Sequence, residues 1–178
     1  MGGGVSSELA HADSAELFIR AAVAADVPLL SGLIHEFAKF ESDEAFTSEY
    51  ILLRDGFGER PRFRALIAEW AKEPAGYALF FDYYSTFRGG SGIFLEDIYV
   101  RERFRGRGIG KALFAQLGSI AVSERRVGIM FNVLNWNAAA INVYRRLGAR
   151  FLDDWKVLSL EGGALQALAR SADRENRS

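Results

Sequence analysis

Residues 93–111, IFLEDIYVRERFRGRGIGK, constrain the chain more than any other stretch. From 93 to 100 most positions are β-branched, aromatic or otherwise apolar, which predicts a buried strand broken only by the acidic pair Glu96 and Asp97. Charge inside such a strand needs a reason. A basic connector, 101–105, leads to alternate glycines at 106, 108 and 110, and a helix then opens with small or apolar residues at Ile109, Ala112, Leu113 and Leu117. Strand, glycine loop and helix N-terminus in that order make an anion site, because unpaired N–H groups and the helix dipole point at the loop. Spacing excludes two familiar phosphate loops. Arg105, not glycine, stands five residues before Gly110, and Ala112 occupies the position where a P-loop carries its hydroxyl. The dinucleotide fingerprint needs G-x-G-x-x-G, a wider second interval than 106, 108 and 110 provide.

The rest of the chain narrows the chemistry. A formal net charge of -1 gives no global attraction to a polyanion, so neither nucleic acid nor a membrane surface is an expected partner. There is no cysteine, which removes disulfides, zinc thiolates and a thiol nucleophile. Only His11 and His35 are present, too few for a His-rich metal site or a Ser-His-Asp triad, and no metal is expected. No apolar run approaches a membrane span, and the expected address is the cytoplasm. The 178 residues suit one domain, read as 17–170 between flexible tails at 1–16 and 171–178. Residues 1–6 fit the formal pattern M-G-x-x-x-[ST], but no polybasic cluster or cysteine follows as a second anchor, and lipidation is not expected.

In chain order, 17–23 reads as a strand. Asp26 as N-cap and Pro28 in the first turn open a helix with an apolar stripe at Leu29, Leu30, Leu33, Ile34 and Phe37, reaching about Phe40. His35 lies off that stripe. A second helix is expected over 47–55, ended by Gly56-Phe57-Gly58. Strands at 63–70 and 76–84 form a hairpin about a turn at Lys72-Glu73-Pro74, and the intervening aromatics read as core. After the strand at 93–100 and the helix from Gly108, a strand is expected at 127–133, then a helix capped by Asn137 and closed at Gly148. Short strands at 150–152 and 156–160, a small helix and a charged tail complete an α/β fold. Its sheet is one mixed layer with helices on both faces.

Four segments, AKFE at 38–41, DGFGERP at 55–61, FLEDIYVRERFRGRGIG at 94–110 and NVLNWNAAAINVYRRLGA at 132–149, carry a closer resemblance. Together they resemble the spermidine/spermine (diamine) branch of the GNAT superfamily of N-acetyltransferases, which includes thialysine acetyltransferases, over about 18–169. The resemblance implies a GNAT-like, mostly antiparallel sheet and acetyl-CoA as co-substrate. The diphosphate would lie on Arg105, Gly106, Arg107, Gly108, Ile109, Gly110 and Lys111. The pantetheine arm would pair with Ile98, Tyr99 and Val100, and Asn137 belongs to the second cofactor motif. Tyr144 matches the general acid that protonates the leaving thiolate; taken without the Asn-Trp-Asn context, it reads as a helix aromatic packed on a sheet. Glu96 matches the residue thought to take the amine's proton, while both Glu96 and Asp97 also read as contacts to a cationic substrate. Glu41 matches an acidic substrate contact, and Asp154 with Trp155 a C-terminal acid and tryptophan. Along a regular strand Glu96 and Asp97 would alternate, so that only one faces a given side.

The implied reaction is direct transfer of acetyl to the primary amine of a diamine, polyamine or thialysine-like acceptor, in a homodimer. The neutral turn at Ser85-Thr86 favours short amines over spermine, since each added ammonium wants its own partner. Acetylation of a protein or peptide amine, and a non-catalytic acyl-CoA-binding module, are the alternative readings.

Overall fold

The hairpin at the centre of the sheet closes without glycine. Ala71 and Lys72, with φ of 49° and 68°, make a two-residue turn with both central residues left-handed, which matches the right-handed twist of the strands they join. The turn is therefore one step earlier than Lys72-Glu73-Pro74. Pro74 has no N–H to give a ladder, and it sits opposite Glu69 where the strand register shifts between Ala68 and Glu69.

The computed structural model describes residues 16–175. The lipidation pattern at 1–6 and the tail expected at 1–16, Glu16 apart, lie outside them, as do 176–178. Two compact units divide between Asn132 and Val133. In the first, β1 (Leu17–Ala21) leads to α1 (Val27–Glu41) and α2 (Glu49–Phe57). Then come β2 (Arg64–Trp70), β3 (Glu73–Ser85), β4 (Gly90–Val100), α3 (Ile109–Ser123) and β5 (Ile129–Phe131). The sheet order is β1-β2-β3-β4-β5, antiparallel throughout except for the parallel pair β4 and β5.

Strand parity sorts the core onto two faces. Leu66 and Ala68 of β2, Ala78 and Phe80 of β3 and Ile93 and Leu95 of β4 pack with the α3 stripe Ile109, Leu113, Leu117 and Ala121. Ala65, Ile67, Tyr77, Leu79 and Tyr99 face the other way, onto Val27, Leu30, Leu33 and Ile34 of α1 and Leu52 of α2. Helices thus cover both faces of one layer, as expected.

Asp26 does not cap α1 with its side chain. Its carboxylate turns back to accept from the Val23 N–H at 2.8 Å and from Arg20 at 2.6 and 2.8 Å, and α1 starts with Pro28 in its first positions. A charge-assisted pair outcompetes a neutral cap bond. Ser48 is the side-chain cap of α2, accepting from Ile51 N at 3.3 Å.

Gly76 holds β3 and β4 together by having no side chain. A Cβ there would stand 2.3 Å from the Tyr99 carbonyl oxygen, which is backbone and cannot swing away. Gly76→Ala is expected to lower unfolding free energy by about 1–3 kcal/mol. Equal urea midpoints for the two proteins would refute this close approach.

In the second unit, α4 (Ala138–Arg146) is capped by Asn137, whose side chain accepts from Ala140 N at 3.1 Å. It closes at Gly148 with φ of 87°. Strands expected at 150–152 and 156–160 are not formed; the segment is irregular, with one turn from Trp155 N to Leu152 O. A short run of apolar residues becomes a strand only against a ladder partner, and Val157 and Leu158 are exposed. α5 (Gly162–Glu175) follows and runs past the boundary expected at 170. No helix of the described residues is long and apolar enough to cross a membrane.

Candidate active site

The connector after β4 is fixed at both ends. Arg101 reaches both Glu36 carboxylate oxygens, at 2.9 and 2.7 Å, and the Pro74 carbonyl at 2.8 Å, tying the loop to α1 and the hairpin. Phe104 is buried in the core on the α3 face. Between these anchors and α3, Gly106 and Gly108 have φ of 78° and 80°, where only glycine is free of strain. Nothing lies within 4 Å of a Cβ built on either, so the glycines are there for backbone shape and leave space over the amides. Gly108 is the N-cap of α3 and carries no side-chain cap, so the first-turn N–H groups of Ile109, Gly110 and Lys111 point outward. Arg107 and Lys111 pair with no carboxylate among the described residues; Arg107 lies over the Trp70 ring at 5.1 Å. Arg105 is placed differently from the simple expectation of added charge. Its Nε donates to the Val100 carbonyl at 3.0 Å, and its guanidinium lies over Phe40 at 4.4 Å.

β4 is paired on one side only over its second half. β5 pairs with Ile93, Phe94 and Leu95, and no described strand continues past Leu95. The β3 side stays paired from Gly90 to Val100. On the stretch Ile98, Tyr99 and Val100, Tyr99 turns its backbone groups to β3, while the N–H and carbonyl of Ile98 and the N–H of Val100 lie on the open edge that ends at the glycine loop.

A bulge changes the reading of the acidic pair. Asp97 pairs with Leu79 but Leu95 with Phe80, so Glu96 is an extra residue. Ile93 and Leu95 pack on the α3 face, and after the bulge Ile98 and Val100 do so. Glu96 and Asp97 both fall between, off that face, so the expected alternation is overturned. One register slip frees two consecutive carboxylates from the α3 core.

Asp97 is held from the core by a residue that the sequence presents only as packing. Tyr77, fully buried, donates its hydroxyl to Asp97 Oδ2 at 2.9 Å. Glu41, at the end of α1, completes the group. Burial pushes the Asp97 carboxyl up to about 6, with Glu96 and Glu41 adding to the rise and the Tyr77 hydrogen bond opposing it. Burial, helped by Asp43, also raises Glu41. Among the described residues no basic side chain lies within 4.0 Å of Glu41, Glu96 or Asp97. Three carboxylates of which two are raised, beside an open strand edge, make a site that gains by receiving a cation. Tyr77 was legible only as an aromatic: its relation to Asp97 is a diagonal across paired strands, fixed by a register no local pattern reveals.

The second unit holds the remaining expected residues. Tyr144 is half-buried on α4, seven residues after Asn137, whose side-chain oxygen is committed to the cap. Asp154 and Trp155 lie in the irregular segment, both exposed.

Comparison with known proteins bears on the family and the fold. The model of the acetyltransferase (GNAT) family matches residues 30–149. The chain is 37% identical over 168 residues to the thialysine N-epsilon-acetyltransferase of Sus scrofa, covering 87% of this chain and 98% of the relative. It is 37% identical over 140 residues to spermidine/spermine N(1)-acetyltransferase-like protein 1 of Homo sapiens, covering 74% of this chain and 20% of that protein. Among solved structures, an integron cassette protein from the mobile metagenome of V. cholerae superposes with a TM-score of 0.74 at 21% identity, covering 86% of this chain and 98% of that one; this likeness is one of fold.

Proposed function

This chain belongs to the GNAT acetyltransferase family and is an N-acetyltransferase, and on that premise we propose that it carries acetyl from acetyl-CoA directly to the primary amine of a small cationic acceptor. The acceptor class is a diamine or thialysine-like amine. The observation that carries this reading is the trio Glu41, Glu96 and Asp97, without a counter-cation among the described residues, beside the open edge of β4.

The residues of the loop fit the coenzyme. Positive φ at Gly106 and Gly108, open space over their amides, the unpaired first turn of α3 and the cations Arg107 and Lys111 suit a diphosphate. Along the edge at Ile98, Tyr99 and Val100, the outward backbone groups of Ile98 and the Val100 N–H suit a chain of amides. When bound, acetyl-CoA supplies the thioester carbonyl that an amine attacks. A primary amine with pKa near 10 is protonated at neutral pH, and freeing its lone pair costs about 4 kcal/mol. Glu96 takes that proton, through a water, while Asp97 and Glu41 hold the cationic parts of the acceptor. Tyr144 gives a proton to the departing sulfur. Asn137 and the C-terminal pair Asp154 and Trp155 enter as cofactor and acceptor contacts on the strength of the resemblance. The catalytic domain is taken as 17–170, acting as a homodimer; exposed Val157 and Leu158 support a covered face in the assembly.

Two experiments bear on this. Thiol release from acetyl-CoA is expected with thialysine and short diamines, with lower kcat/KM for spermine and for basic peptides. Release only with peptides would move the function to protein acetylation. Gly108→Val, forced into left-handed backbone, is expected to weaken coenzyme A binding about tenfold by calorimetry. Unchanged affinity would take the loop out of the site.

A further inference from the structure

We propose that Tyr77 is a positioning residue of the acceptor site: from inside the core its hydroxyl fixes the direction of the Asp97 carboxylate and keeps that carboxylate charged for the acceptor's ammonium. This rests on the reading of Asp97 as an acceptor contact. Four observations carry it. The Tyr77 ring is fully buried on the α1 face, 6.5 Å from the Tyr99 ring, and has no freedom to follow a moving partner. Its hydroxyl is directed at one oxygen, Asp97 Oδ2, at 2.9 Å, which leaves Oδ1 for a ligand. Among the described residues, every ionisable group acting on Asp97 apart from this phenol is an acid: Glu96 on its own strand and Glu41 from α1. Nearby Arg105 is engaged with Val100 and the rings of Phe40 and Tyr99.

In those surroundings a neutral donor is the group that favours the charged carboxylate. A phenylalanine would fill the same volume and lose only the hydrogen bond. A cation in place of Tyr77 would neutralise Asp97 and compete with the acceptor; a phenol stabilises the charge without cancelling it. Tyr77 does not touch the reacting atoms and acts through Asp97.

The test is Tyr77→Phe in the full chain, followed by NMR titration of ¹³Cγ-labelled aspartate and by the pH dependence of kcat/KM for a short diamine. The Asp97 midpoint is expected to rise by about one pH unit, since a hydrogen bond to the charged form is lost. The acid limb of kcat/KM should rise with it. KM for the amine should increase several-fold below pH 7, with KM for acetyl-CoA unchanged. An Asp97 midpoint equal in the two proteins overturns the role of Tyr77. If the midpoint moves but the acid limb does not, Tyr77 governs Asp97 and the acceptor assignment of Asp97 fails instead.

Discussion

Asp97→Asn is expected to make the protein more stable at pH 8 and nearly inactive. The Asp97 carboxyl is raised to about 6 from an ordinary 3.8, by burial first and then by the neighbouring acids. Because the folded value lies above the unfolded one, the native state binds the proton more tightly between these two values. The ionised carboxylate therefore costs stability in full above pH 6, and that cost disappears below about 4. Asparagine has no charge to desolvate and keeps an oxygen for the Tyr77 hydroxyl. The gain should be about 1–3 kcal/mol at pH 8 and close to zero at pH 4, read from urea midpoints at both pH values. Over the same substitution, kcat/KM for a diamine should fall by about a hundredfold, the loss of a partly buried charge partner. A variant less stable at both pH values would show that the carboxylate is a structural group and not one held at a cost for function.

Tyr144→Phe carries the second large effect. A thiolate leaving without a proton donor is a poorer leaving group, and general acid catalysis contributes about 10²- to 10⁴-fold. The kcat is expected to fall by at least about a hundredfold, with the affinity for coenzyme A within twofold of the parent, since the ring remains. Stopped-flow thiol release and calorimetry separate the two quantities. An unchanged kcat would return Tyr144 to the reading of a packed helix aromatic.

Residues 105–110 were legible because their demands are local. Alternate glycines announce left-handed backbone, and a following apolar stripe announces a helix whose first amides are free, before any tertiary contact is known. The same holds for Asn137 and Gly148, which cap and close α4 as their residue types require. The acidic pair was legible as an anomaly but not as a geometry. Glu96 and Asp97 share a side because Leu95 pairs with Phe80 and Asp97 with Leu79, and a bulge belongs to two strands at once. Asp26 illustrates the same limit: residue type marks it as a cap, and Arg20, six positions earlier, takes its carboxylate instead. The apolar residues at 157, 158 and 160 suggested a strand, yet pattern supplies only one half of a ladder.

Acid should also act on the fold through a second group of opposite sign. Hydrogen bonds from Arg64, and then from Arg126, hold the Glu124 carboxyl down at about 2, so its contribution is present above the ordinary carboxylate range and is lost as pH falls toward 2. The charge on Asp97 is a burden to the fold at neutral pH, whereas that on Glu124 supports it.

The most direct measurement is a crystal structure of the ternary complex with coenzyme A and thialysine. The account predicts the diphosphate on the amides of 106–111, the amine nitrogen within hydrogen-bond reach of Glu96 or Asp97, and the thiol sulfur beside the Tyr144 hydroxyl. An amine bound away from both carboxylates, or a sulfur remote from Tyr144, would contradict it.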